Sequence, residues 1–388
     1  MSSAMFERQQ AGENALIVQT RRRAGEVEAA EEFRELAASA GAQVKAELWA
    51  RSDTPNPRFF VGTGKADEIK EKVAELDLSL VLVNHQLTPV QERNLEAHVQ
   101  CRVVDRTTLI LDIFSQRARS HEGKLEVELA QLRHMATRLV RGWTHLERQR
   151  GGIGNRGPGE TQLEIDRRLL SKRVDILAER LEVAVKQREQ GRKGRSSSGI
   201  SQIALVGYTN AGKSTLFNAL TKAKVHVADQ LFATLDPTVR KVFLAEHGEI
   251  TIADTVGFVS DLPHELVAAF RSTLTEAREA QLLLHVIDAA DPLLAEHIRD
   301  VDKVLEEIGA AAIPKLLVMN KIDLIDQRPQ FDPGDRPRVW VSAQTGAGMA
   351  ELKQALMTLL PASRGHWANT QHESFENCLS ETGNKINS

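Results

Sequence analysis

Cysteine is nearly absent from this 388-residue chain: the two present, Cys101 and Cys378, stand 277 positions apart and belong to no CxxC or Cys/His cluster. That excludes a disulfide framework and a zinc site as organising devices and points to a reducing compartment. No run approaches 18 consecutive apolar residues, and the opening MSSAMFERQQ has no apolar core of a signal peptide. The expectation is therefore no integral membrane segment and no export. Twelve histidines form no HExxH and no HxxxH pair joined to a third ligand, so they suggest no metal centre. Glycine and proline, at 25 and 12, are too few for a collagenous or broadly disordered chain.

What is present is a globular composition, 41% hydrophobic and 27% charged, at a length that predicts two or three domains of roughly 100–200 residues each. The net charge of −3 hides an asymmetry. Residues 116–195 carry 19 Lys and Arg against 11 Asp and Glu, so a basic fifth sits inside an otherwise acidic protein. Either a polyanion contact or a solvated helical surface accounts for such a segment.

Short apolar or alternating runs at 14–19 (NALIVQ), 44–49 (VKAELW), 79–84 (SLVLVN) and 101–105 (CRVVD) predict strands, separated by stretches with helical spacing such as Phe33, Leu36 and Ala37, or Ile69, Val73 and Leu76. This predicts a small α/β domain over 12–105, after a flexible N-terminus at 1–11. Over 106–190 the pattern becomes two long helices, the first broken near Ser120, with RGGIGNRGPGE (150–160) between them. A capping box at Thr161 to Glu164 restarts the second helix. The reading is a basic helical hairpin whose glycine-rich tip bears Arg148, Arg150 and Arg156, with an ordinary surface loop as the other reading. GRKGRSSSG has a linker composition, and 191–200 is taken as the boundary before a second α/β domain at 201–360. There strands and helices alternate again, predicting a mostly parallel sheet with helices on both faces. The polar tail 361–388 is expected to be disordered.

The chemistry is concentrated in three motifs of the second α/β domain. Gly207-Tyr208-Thr209-Asn210-Ala211-Gly212-Lys213-Ser214 fits GxxxxGK[ST] and lies between a predicted strand and a predicted helix. Backbone N–H groups of such a loop cradle phosphates, Lys213 can reach the β and γ phosphates, and Ser214 can ligate Mg²⁺. Forty-one positions after Lys213, Asp254-Thr255-Val256-Gly257 ends a predicted strand, where the carboxylate can hold Mg²⁺ through water and the Gly257 N–H can meet the γ phosphate. Asn320-Lys321-Ile322-Asp323 follows another predicted strand. Asp323 can accept two hydrogen bonds from guanine, a pair that adenine does not offer. Ser342 and Ala343, with Gln344 after them, are placed to present backbone N–H groups to the guanine oxygen. These motifs in this order mark a P-loop GTPase.

The chain resembles the HflX family of ribosome-associated GTPases. The likeness rests on GYTNAGKSTLFNAL, DQLFATLDPT, DTVGF, NKID, GTGKADEI and above all GGIGNRGPGETQLE, and covers about residues 12–360. It implies that Thr234, within Phe232-Ala233-Thr234-Leu235-Asp236, is the switch threonine that engages Mg²⁺ and the γ phosphate, with Thr238 as the fallback. Thr215 joins the nucleotide-binding set. The expected catalytic group is Lys213, Thr234 and Gly257, and the expected metal ligands are Ser214, Thr234 and, through water, Asp254. Phe258 stands where a Gln orients the attacking water in Ras-like enzymes, so intrinsic hydrolysis should be slow and await a partner. Asn210 resembles the potassium-binding Asn of related GTPases, which implies K⁺ as a second cofactor.

The partners implied are GTP and GDP and the large ribosomal subunit with its RNA, contacted through the hairpin, and not DNA. The function implied is ribosome binding coupled to splitting, rescue or recycling, by a monomer that is cytoplasmic and in part membrane-associated. An assembly or RNA-remodelling GTPase and a GTP switch for a protein partner are the alternatives. Val61-Gly62-Thr63-Gly64-Lys65 lacks P-loop spacing and reads as a turn. The tail also lacks the apolar, strand-like segments of the small C-terminal domain that family members carry.

Overall fold

The computed structural model describes residues 12–21, 26–51, 55–142, 162–196, 200–221, 231–232, 235–245, 247–260 and 274–360. The glycine-rich tip with Arg148, Arg150 and Arg156, the tail after Leu360, the first eleven residues, and Ala233 and Thr234 all lie outside them.

The first unit is a four-stranded, all-parallel sheet of order β2-β1-β3-β4, made of β1 (Asn14–Arg21), β2 (Gln43–Arg51), β3 (Leu80–Val83) and β4 (Arg102–Asp105). The inner strands β1 and β3 read as continuous apolar runs because both faces are covered, whereas the edge strand β2 alternates and is half-exposed. Ala15 and Ile17 of β1 enter one core while Leu16 and Val18 enter the other, following the two-residue period of a strand. Helices α1 (Glu26–Ser39), α2 (Thr63–Glu75) and α3 (Pro89–Val99) join these strands. α3 starts at a full capping box between Thr88 and Gln91, with Pro89 in its first turn. The Val61 to Lys65 segment is the turn into α2, with Gly62 as its N-cap.

Next comes α4 (Arg106–Arg117), then α5 (His121–Gly142) and α6 (Gln162–Ser196). The break predicted near Ser120 is real: Ala118 leaves the helical region, and the Ser120 hydroxyl accepts from the Gly123 amide at the start of α5. α5 and α6 pack through Leu125, Leu129, Leu132, Leu170 and Leu177. Here one expectation is corrected. α6 runs on to Ser196, through most of the stretch read as a linker. Its two glycines cost roughly 1 kcal/mol each relative to alanine and do not end it.

The second unit is a seven-stranded sheet of order β10-β11-β9-β8-β5-β7-β6. Its strands are β5 (Ser201–Val206), β6 (Thr238–Leu244), β7 (Gly248–Asp254), β8 (Leu282–Asp288), β9 (Lys315–Asn320), β10 (Gln330–Asp332) and β11 (Arg338–Trp340). Only the two edge pairings, β6 with β7 and β10 with β11, are antiparallel. β10 is missing from the sequence reading because its three residues are too few to show a period. The helices are α7 (Lys213–Thr221), the single-turn α8 (Thr275–Arg278), α9 (Leu294–Glu307) and α10 (Met349–Leu359). The sequence also predicts a helix just after Leu262, a stretch that lies outside the described residues.

One apolar cluster crosses the seam between the units, joining Phe33, Leu36, Ile110 and Phe114 to Phe232, Leu235 and Phe258. Phe114 meets Phe232 edge to face, with ring centroids 4.5 Å apart.

Candidate nucleotide site

The carboxyl ends of β5, β7 and β9 deliver the three motifs to one edge of the second sheet, the position where open α/β sheets bind ligands. After β5 the chain turns sharply and opens α7 at Lys213. Gly212 has φ +89, and a Cβ there would collide with the Asn320 amide, so only glycine lets the loop close against the base-binding motif. Asn320 is buried and works as a strut. Its Nδ2 donates to the Ala211 carbonyl at 2.9 Å, and its Oδ1 accepts from the Ala343 amide at 2.9 Å. This pair of bonds holds the phosphate loop and the Ser342 to Gln344 loop at a set separation. Ser342 is fully buried and its hydroxyl accepts from the Thr345 amide, while Gln344 is exposed.

Lys321 adopts φ +64 and pairs with Asp288 at 2.8 Å. Ile322 is buried, whereas Asp323 is exposed at the start of a single 3₁₀ turn, its carboxylate on the solvent side where a base can meet it.

On the phosphate side, Ser214 donates to Asp254 at 2.7 Å, and Asp254 is fully buried. A hydroxyl and a carboxylate brought together in this way are the donor set of a hard divalent cation. Among the described residues no cluster of three His, Cys, Asp or Glu could hold a metal, so any cation here must complete its shell with phosphate and water. Lys213 is buried and its Nζ donates to the Tyr208 carbonyl at 2.7 Å. Burial pulls its pKa down to about 8, with Asp254 opposing the shift, so the ammonium is short of counter-charge. A Cβ on Gly257 would come within 2.9 Å of that ammonium and 2.8 Å of the Thr209 methyl, which explains glycine at this point. Thr255 is pinned by a hydrogen bond to the Leu205 carbonyl, Val256 lies in the core, and Thr215 is half-buried in α7.

The residues after Asp254 lie along the phosphate loop. Thr209 N donates to the Phe258 carbonyl at 2.7 Å and Phe258 N donates to the Gly207 carbonyl at 3.2 Å, a short parallel bridge. The Phe258 ring is buried in the apolar cluster at the seam. Tyr208 turns away from the phosphates to the seam. Its hydroxyl donates to Glu32 and accepts from the Ser260 amide at 2.7 Å. Arg106 closes the cluster by pairing with Glu32 and donating to the Ser260 carbonyl at 3.0 Å. Burial and the Glu32 charge both raise the Tyr208 pKa, so it stays a phenol. Sequence reading missed Glu32, Arg106 and Ser260. They lie 176, 154 and 52 positions from the partners they meet here, and nothing local marks them.

The chain matches three family models in series: the GTP-binding GTPase N-terminal domain over 27–115, the GTP-binding GTPase middle region over 117–195, and the 50S ribosome-binding GTPase over 202–321. It is 59% identical to GTPase HflX of Escherichia coli K12 over 357 residues, covering 91% of this chain and 84% of that one. The chain belongs to the HflX family. A second HflX, from Magnetococcus marinus, is 45% identical over 88% of this chain and 82% of its own. The crystal structure of SsGBP with GDP superposes with a TM-score of 0.51 at 25% identity, covering 90% of this chain and 98% of that one.

As an HflX-family member the protein is a GTP-hydrolysing enzyme. Of the loop expected to carry the switch threonine, Thr234 and Ala233 lie outside the described residues. Phe232 and Leu235 are core residues at the seam, and Asp236 faces the first unit rather than the phosphate loop. Thr238 opens β6. Asn210, at φ +58, is exposed on the phosphate loop.

Proposed function

We propose that this GTPase binds the large ribosomal subunit and couples its nucleotide state to ribosome splitting, rescue or recycling. The observation that carries the reading is the juxtaposition of a 50S ribosome-binding GTPase match over 202–321 with the basic segment 116–195. In that segment α6 holds Arg167, Lys172 and Arg180 exposed along a long helix, as a polyanion contact requires. Location in the cytoplasm and a monomeric state complete the proposal; among the described residues no helix is long and apolar enough to cross a membrane.

In this reading the phosphate-loop amides and Lys213 hold the β and γ phosphates, the Gly257 amide reads the γ phosphate, and Asp323 selects guanine. Ser214 and Asp254 would hold Mg²⁺, Asp254 through water, together with Thr234. When bound, the ion supplies charge neutralisation across the β and γ phosphates. Asn210 would hold K⁺. Phe258 offers no group to orient water, so hydrolysis waits for the ribosome to complete the site.

The test is GTP turnover with and without purified large subunits, at two salt concentrations and in K⁺ or Na⁺, with Lys213→Ala as control. Stimulation that weakens with salt and disappears in the variant is expected. Absence of both stimulation and co-sedimentation would remove the ribosome from the proposal, and equal rates in the two cations would remove K⁺.

A further inference from the structure

Thr209 stands in the phosphate loop with its backbone donor already engaged. Its amide donates to the Phe258 carbonyl at 2.7 Å, so of its two donors only the side-chain hydroxyl is left for a ligand. That hydroxyl has no hydrogen-bond partner, although the residue is only 6% exposed. A buried polar group in this state is costly unless something meets it. The neighbouring hydroxyls of Ser214, Thr255 and Tyr208 all have partners, in Asp254, the Leu205 carbonyl and Glu32.

The place of this side chain points to what meets it. A Cβ built on Gly257 would stand 2.8 Å from the Thr209 methyl and 2.9 Å from the Lys213 ammonium, so the two side chains flank one point beside Gly257. That is where the Lys213 ammonium and the Gly257 amide hold the γ phosphate in the function proposed above, and the inference rests on that reading. The hydroxyl shares its Cβ with the methyl, and one staggered step about the Cα–Cβ bond brings it to the methyl's position. The step breaks no hydrogen bond of the hydroxyl, because it makes none.

Packing alone does not account for threonine here. Valine has the same branched shape and buries no hydroxyl, so a residue needed only to fill space would be better as valine. A hydroxyl is also a donor, and its bonds to ionised oxygens are the strong ones. GTP brings such oxygens to the point beside Gly257, and GDP has no γ phosphate to bring.

We infer that the Thr209 hydroxyl is a ligand of the γ phosphate, a contact made with GTP and absent with GDP. Thr209 thereby helps the site to tell the triphosphate from the diphosphate.

Displacement of a fluorescent guanine nucleotide from the full chain, by GDP and by a non-hydrolysable GTP analogue with Mg²⁺ present, tests this. In Thr209→Val the affinity for the analogue should fall about tenfold, as on loss of a hydrogen bond to a charged group, while that for GDP stays the same. Thr209→Ser keeps the hydroxyl and should keep most of the affinity for the analogue. The urea midpoint of nucleotide-free Thr209→Val should be no lower than the native one, since the variant buries one unpaired hydroxyl fewer. Native affinity for the analogue in Thr209→Val, or equal loss of the analogue and GDP, would overturn the inference while leaving the phosphate site as read. Native affinity for the analogue in Lys213→Ala would instead remove that reading, and the inference with it.

Discussion

The Thr209 amide and the Phe258 carbonyl are 2.7 Å apart and hydrogen-bonded, so the segment after Asp254 is laid against the phosphate loop. A Cβ added at Gly257 would come within 2.9 Å of the Lys213 ammonium, so the two segments lie close together where the γ phosphate is proposed to bind. The same segment is held from behind, where Ser260 meets Tyr208 and Arg106.

Loosening that hold should favour the triphosphate. Tyr208→Phe removes the hydroxyl that bonds the Ser260 amide and Glu32, interactions of roughly 1 kcal/mol or more each. The affinity for a non-hydrolysable GTP analogue relative to GDP should rise about five- to tenfold, read by displacement of a fluorescent guanine nucleotide. An unchanged ratio would mean that the seam does not restrain the segment.

Asp236 fastens the loop before β6 to the start of α5. Its Oδ2 accepts from the amides of Arg119 and Ser120, both at 2.8 Å, and its other oxygen meets the Ser120 hydroxyl. Asp236→Ala should cost about 1–2 kcal/mol in urea unfolding, as loss of a helix cap does, and Asp236→Asn, which keeps one acceptor oxygen, should cost less.

Asp323 is exposed and has no side-chain hydrogen bond among the described residues, so its exchange should leave the fold intact. Asp323→Asn turns an acceptor toward guanine into a mixed donor and acceptor. GTP affinity should fall on the order of a hundredfold, and xanthosine triphosphate should become the better ligand. Equal loss for both nucleotides in a competition assay would argue against a base contact.

His285 makes the fold sensitive to acid. Burial holds its pKa at about 4, below the ordinary 6.5, so between these values the unfolded chain binds more protons than the folded one. Stability therefore falls as pH drops from 6.5 toward 4, by about 2 kcal/mol at pH 5. Urea midpoints at pH 7 and pH 5 should differ less in His285→Leu than in the native protein by about that amount.

The sequence by itself determined the strands other than the three-residue β10, and the three nucleotide motifs. Apolar runs such as LIV and LVLV mark strands buried on both faces, and GxxxxGKS between a strand and a helix has few other uses. Local chemistry suffices there, because a phosphate-binding turn is built from consecutive residues. Composition misled where it was weighed alone: Gly191 and Gly194 suggested a linker, yet α6 stays helical to Ser196.

Only the tertiary structure decided what Tyr208, Asp236 and Arg106 do. The Tyr208 contact with Glu32 spans 176 positions, and the Asp236 contact with Ser120 spans 116. Such pairs arise from the docking of two sheets through a shared apolar cluster, and no period or spacing within one segment encodes that docking. The meeting of Thr209 with Gly257 is likewise tertiary, since the loops after β5 and β7 come together only because those two strands pair.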